Sequence, residues 1–151
     1  MAMIQLLPDF KEFLKLLNKH KVEYLLVGGY AVGYHGYPRA TADMDIWIDI
    51  SPINAKKIVS VLNEFGFESP ELTEELFLEE NKVIRMGVPP VRLELITSIS
   101  GVEFNACFQQ KNIGKIDGIE VNIIDLENLR KNKKASGRYK DLNDLENLPE
   151  S

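Results

Sequence analysis

The chain has 151 residues, a single cysteine and a formal charge of −5, with 44% hydrophobic and 27% charged residues. These values suit one domain over 1–151 with an ordinary core, and they exclude wholesale disorder, a disulfide framework and a general nucleic-acid coat, which needs a positive face. No apolar run reaches the ~18 residues of a membrane span, and residues 1–7 lack the basic leader of a secretory signal, so neither membrane nor export is expected.

Pro8 and Asp9 lead into Phe10, Phe13, Leu14, Leu16 and Leu17, spaced as one face of a helix running to about His20. Residues 22–27 are a short apolar run closed by Gly28 and Gly29, which predicts a buried strand turning sharply into a short helix over 30–37. Over 44–50, Met44, Ile46, Ile48 and Ile50 share one face while Asp43, Asp45, Trp47 and Asp49 share the other. That alternation predicts a strand with helices on its apolar side and a working cleft on its polar side; Trp47 is assigned to packing. Pro52 opens a third helix that Gly66 ends, with Ala55, Ile58, Val59 and Leu62 toward the sheet.

Residues 69–81 read as an acidic helix or loop. Residues 82–86 and 91–97 read as two strands joined through Gly87, Val88, Pro89 and Pro90, whose prolines resist pairing. Cys107, between Phe104 and Phe108, reads as a packed core thiol and points to a reducing, cytoplasmic setting. Residues 114–124 read as a hairpin about Asp117-Gly118, Asp125 as the N-cap of a helix carrying Leu126 and Leu129, and residues 140–148 as the last helix. No linker or repeat divides the chain. The expected class is α/β (α+β): a mixed β-sheet flanked by helices, with helices at the C-terminal end.

Asp43 and Asp45 lie two apart on their strand, so both carboxylates leave the same face, where like charges repel unless a cation joins them. Oxygen ligands of this kind suit Mg²⁺, with Mn²⁺ as the alternative. Glu94 is the candidate third carboxylate, since Arg92, Glu94 and Ile96 share a face opposite Leu93 and Leu95. The three are expected to converge on one side of the sheet. Gly28 and Gly29 are read either as a turn that lets backbone N–H groups approach phosphate or as a site of tight packing. In the phosphate reading, Gly29→Val weakens NTP binding and largely keeps the fold.

Gly28-Gly29, Ala31, His35-Gly36, Arg39, Thr41 and Asp43-x-Asp45-Ile46-Trp47-Ile48 together resemble the signature of the nucleotidyltransferase superfamily, with its polymerase-β-like palm. The similarity extends through Pro90-x-Arg92-x-Glu94, Gly101, Phe104 and Lys133-x-Ala135-x-Gly137-Arg138-x-Lys140-Asp141-x-x-Asp144-Leu145, and is nearest to the minimal nucleotidyltransferases and the AbiEii-like proteins of toxin–antitoxin systems. The resemblance implies Gly28 and Gly29 at the triphosphate and Asp43, Asp45 and Glu94 on metal, Glu94 standing where relatives usually carry Asp. It implies phosphate or substrate contacts for Lys133, Arg138 and Lys140, and a nucleotide site bordered by His35, Arg39 and Thr41. Read as residues alone, Lys133 and Arg138 instead pair with Asp141 or Asp144 and brace the last helices, and His35 is structural. The implied activity is Mg²⁺-dependent transfer of a nucleoside monophosphate from an NTP to an RNA 3′ end, a protein side chain or a small hydroxylated compound. An oligomer or a toxin–antitoxin partner completes the expectation, and a non-catalytic nucleotide- or partner-binding module is the alternative.

Overall fold

The computed structural model describes residues 4–150; Met1–Met3, which open the N-terminal apolar run, and Ser151 lie outside the described residues. In chain order the elements are α1 (Pro8–Lys19), β1 (Tyr24–Val27), α2 (Gly28–Tyr34), β2 (Asp43–Ile48), α3 (Pro52–Phe65), a 3₁₀ helix (Glu74–Leu78), β3 (Val83–Val88), β4 (Val91–Ile96), α4 (Phe104–Gln109), β5 (Asn112–Ile116), β6 (Ile119–Ile123), α5 (Leu126–Ser136) and α6 (Tyr139–Asn147). The strands form one mixed sheet in the order β3-β4-β2-β1-β6-β5. β1 pairs antiparallel with β2 and parallel with β6, and β2 pairs parallel with β4.

Local chemistry sets the ends of several elements. The Ser51 hydroxyl accepts the Asn54 N–H, Pro52 fixes the first helical φ, and Gly66 ends α3 in the left-handed region at φ 103°. Asp125 caps α5 by accepting the Asn128 N–H. Asp117 and Gly118, both at positive φ, turn β5 into β6 as the strand twist requires. Packing then joins the pieces: Phe10, Phe13, Leu14 and Leu17 of α1 and Ala55, Ile58, Val61 and Leu62 of α3 are buried, and all four residues of β1 are buried at the middle of the sheet. Burial of each Phe, Leu, Ile or Val among them contributes about 1.5–3 kcal/mol, and of Ala55 less.

Several boundaries differ from expectation, two of them beside the glycine pair and the Pro89-Pro90 turn. The helix expected over 30–37 begins at Gly28, because the chain leaves β1 directly into helical geometry, and it ends at Tyr34. The connection after Met86 is not unpaired: Gly87 pairs with Arg92 and Val88 with Val91, leaving only Pro89-Pro90, joined by a cis peptide, as the turn. Residues 69–81 carry the 3₁₀ helix, whose Phe77 is buried. Trp47 packs edge-on against Phe104 with its indole N–H donating to the Thr97 carbonyl, and Cys107 is buried, which pushes its thiol up to about 11. No helix of the described residues is long and apolar enough to cross a membrane.

Candidate active site

The parallel register of β2 and β4 sets Arg92 across from Asp43 and Glu94 across from Asp45. The outer strand β3 then sets Arg85 across from Glu94. Because side chains alternate along strands, these charges emerge on one side of the sheet while Met44, Ile46, Leu93 and Leu95 enter the core at 0% exposure.

Each outer carboxylate has its own guanidinium. Arg92 donates from Nε and Nη2 to the two oxygens of Asp43 at 2.7 and 3.0 Å, which holds Asp43 below the usual carboxylate range. Arg85 Nε donates to Glu94 Oε1 at 2.6 Å. Asp45 has no such partner, and its Oδ1 is buried without any hydrogen bond. Burial first, then the hydrogen bond and charge of Glu94, then the charge of Asp43, push Asp45 up to about 7, with Lys140 pulling the other way.

The glycine pair serves these side chains. Gly28 has φ +67°, and a Cβ there would stand 2.1 Å from Asp45 Oδ2; one on Gly29 would stand 2.3 Å from Thr41 Oγ1. Tight approach of Asp45 and Thr41 is therefore a reason for glycine at both positions. Both residues also line the cavity, and no side chain caps the N-terminal N–H groups of α2. The expectation that Gly29→Val keeps the fold intact is corrected by this contact. We expect both Gly28→Ala and Gly29→Val to lose on the order of 1–3 kcal/mol in urea denaturation, by steric overlap at each position and by strain at Gly28. Parent-like midpoints for the two variants would show that Asp45 and Thr41 yield freely.

The carboxylates face a cavity of about 450 Å³. Arg39–Asp43 forms one side, β3 another through Val83 and Arg85, and residues 98–100 with Asn132, Lys133, Ser136, Arg138, Lys140 and Asp141 the far wall. Gly101 lets that wall close, since a Cβ there would meet the Ala135 side chain at 2.5 Å, and Asn132 donates to the Ser100 carbonyl at 3.0 Å.

An ionic network about the buried Asp141 and Asp144 ties these lining residues together. Arg39 grips both oxygens of Asp144 at 2.7 and 2.8 Å, Lys133 Nζ lies 3.2 Å from Asp141 and 3.1 Å from Asp144, and Arg138 Nε donates to Asp141 at 2.7 Å. Burial pushes Asp141 up, but hydrogen bonds from Arg138, Ser136 and Lys133 outweigh it and lower it to about 2. Asp144 is lowered in the same way, its burial outweighed by Arg39 and Lys133.

Of the residues singled out in the sequence, Gly28, Gly29, Arg39, Thr41, Asp43, Asp45, Glu94, Lys133, Arg138 and Lys140 line this cavity. His35 is not among them: its ring Nε2 lies 2.6 Å from the Ile124 carbonyl, so it donates there and ties the end of α2 to β6. Lys133 is committed to two carboxylates, whereas Lys140 is exposed and has no ion pair among the described residues. Sequence reading passed over Arg85, Ser98, Ser100 and Asn132. Arg85 was within reach of it, since pairing across the Pro89-Pro90 turn sets Arg85 opposite Glu94.

The donor set is chemically suited to a hard divalent cation: three carboxylates, one with an orphaned buried oxygen at the cavity floor. Asp45, Asp43 and Glu94 would hold it. Among the described residues, however, no group of three His, Cys, Asp or Glu side chains stands as a ready-made metal cage. The ion pairs to Arg85 and Arg92 engage two of the three carboxylates.

No protein-family profile matches the chain, and no curated protein matches it. A crystal structure from Thermotoga maritima, described as "a putative nucleotidyltransferase", matches with a TM-score of 0.61 at 18% identity, over 91% of this chain and 88% of that one. The likeness is one of fold.

Proposed function

We propose that the chain acts as a single-domain, Mg²⁺-dependent nucleotidyltransferase, moving a nucleoside monophosphate from an NTP to a hydroxyl acceptor. The observation that carries this reading is the orphaned Oδ1 of Asp45 in a cavity also lined by Asp43, Glu94, Arg138 and Lys140. A cavity that presents carboxylates and cations together suits a metal-bound polyphosphate, in which both signs of charge must be matched.

In the proposed reaction the acceptor oxygen bonds to the α-phosphorus as the bond to pyrophosphate breaks, and the acceptor's proton leaves to a carboxylate. Bound Mg²⁺ supplies charge neutralisation at the phosphate oxygens. Asp43 and Asp45 hold the cation, Glu94 completes its ligands or orients the acceptor hydroxyl, and Lys140 and Arg138 meet the phosphates. A lone buried thiol accords with a cytoplasmic setting, and an oligomer or a toxin–antitoxin counterpart would take part in acceptor selection.

The test is single-turnover transfer from labelled NTPs with Mg²⁺ and a cell extract, separating labelled RNA, protein and small molecules. Glu94→Gln should suppress turnover by at least ~10-fold if Glu94 acts as assigned. Parent-like turnover in that variant would remove Glu94 from the mechanism. The ion pairs Arg92–Asp43 and Arg85–Glu94 favour a second reading, a nucleotide-binding module in which arginines have taken over the carboxylates. Mg²⁺-dependent NTP binding with no transfer to any acceptor would select that module.

A further inference from the structure

Asp43 and Glu94 present a puzzle for any site that gathers divalent cations, because each is already neutralised. Arg92 occupies both oxygens of Asp43, and Arg85 Nε takes Oε1 of Glu94. Asp45 alone of the three has no guanidinium on it, and its Oδ1 is buried with no hydrogen bond. A cation reaching Asp45 Oδ1 breaks no ion pair; a second cation drawing on Asp43 and Glu94 together must share or displace two guanidiniums.

We infer that Arg85 and Arg92 are resident counter-cations of this cluster, and that they limit it to one divalent ion, centred on Asp45. The inference rests on the proposed metal-dependent reading and specifies its metal stoichiometry. Three geometric facts support it. Arg85 and Arg92 are fixed by strand register rather than by loose surface pairing, each set across from a carboxylate-bearing residue of a neighbouring strand. Arg85 lines the cavity, and among the described residues its two terminal amino groups donate to nothing, so they are free to meet a phosphate oxygen. A guanidinium so placed supplies fixed positive charge and directional N–H donors where a second metal would supply positive charge alone.

The consequence is a division of labour: one exchangeable cation at Asp45, and a permanent one at Arg85 that cannot be chelated. Arg85 is then a positioning residue for Glu94 and a phosphate contact, and Arg92 holds Asp43 in a fixed rotamer.

The experiment is a Mn²⁺ titration of the purified chain, reading free Mn²⁺ by electron paramagnetic resonance, for the parent, Arg85→Gln, Arg92→Gln, the double variant and the charge-preserving Arg85→Lys. Circular dichroism confirms that each is folded. The parent should bind one Mn²⁺, Arg85→Lys should do the same, and the double variant should bind a second ion or bind the first at least ~10-fold more tightly, since two positive charges near the site have gone. A purely structural role for the arginines predicts weaker binding or none in the variants. Two ions of similar affinity in the parent, or unchanged stoichiometry and affinity in a folded double variant, would overturn the inference while leaving the proposed reaction standing. A parent that binds no Mn²⁺ at all, with or without ATP, would overturn both. If Arg92→Gln fails to fold, Arg85→Gln carries the same comparison, because Arg85 is 65% exposed at its side chain and lies on the outermost strand.

Discussion

Asp45→Asn is expected to lower nucleotidyl transfer by at least ~10²-fold and at the same time to make the chain harder to unfold. The two effects share one cause. Folding buries Asp45 against Glu94 and Asp43, which raises its pKa from 3.8 to about 7. Between those values the folded chain holds a proton that the unfolded chain has released, so stability falls as pH rises, and above about 7 the whole penalty of the buried charge is present. Asparagine removes the charge at nearly constant volume. The gain in stability should be on the order of 1–3 kcal/mol near pH 8 and should vanish near pH 4, where the parent carboxyl is itself protonated. Urea denaturation of both proteins across that range reads the gap directly. Added Mg²⁺ should narrow it from the parent's side, since a ligand bound only by the folded state stabilises that state. A folded Asp45→Asn variant that transfers at the parent rate would remove Asp45 from the reaction.

The largest loss of stability should come from the opposite wall. Asp144 is fully buried and accepts from Arg39 twice and from Lys133 once. In Asp144→Ala, Arg39 loses its bidentate partner and the buried Lys133 keeps only Asp141. Breaking a buried pair from one side costs about 3–5 kcal/mol, a large part of the roughly 5–15 kcal/mol that holds a domain together. Chemical denaturation at neutral pH measures it, and a loss under about 1 kcal/mol would mean that water repairs the site. Acid should produce the same collapse in the parent. Asp141 and Asp144 are both lowered by their partners, so their contribution is complete above about 3.8 and is lost as pH falls through the lowered values, about 2 for Asp141. The Asp144→Ala variant should show a shallower acid transition.

What could be read from the sequence was what is decided over a few residues. Ser51-Pro52, Asp117-Gly118 and Asp125 announce caps and a turn because their side chains or φ angles act locally. The alternation in β2 and β4 assigned Asp43, Asp45 and Glu94 to polar faces for the same reason. Which residue of β4 meets which carboxylate of β2 was beyond its reach. That depends on the parallel register of two strands separated by α3 and the β3 hairpin, and one residue of slip would have exchanged every neighbour. Gly28 and Gly29 show the same limit: the sequence marks a place where a side chain is absent, and only the fold shows Asp45 and Thr41 filling it. The tail motif left phosphate contact and helix bracing both open for Lys133 and Arg138. Geometry gives Lys133 a bracing contact at 5% side-chain exposure, while Arg138 both pairs with Asp141 and lies at 70% exposure beside the cavity.

The grip of Arg39 on Asp144 joins the two ends of the chain, and it fixes the order in which a newly made molecule becomes complete. While a ribosome is still adding residues, the strands bearing Asp43, Asp45 and Glu94 emerge first, but β1 cannot gain its β6 neighbour until Ile123 has appeared. Arg39 waits longer still, without its carboxylate until residue 144 is out. During that interval Asp43 and Glu94 can already pair with Arg92 and Arg85, but the side of the cavity built by α5 and α6 is missing. The cavity is therefore complete only once α6 has been made and has folded back onto Arg39.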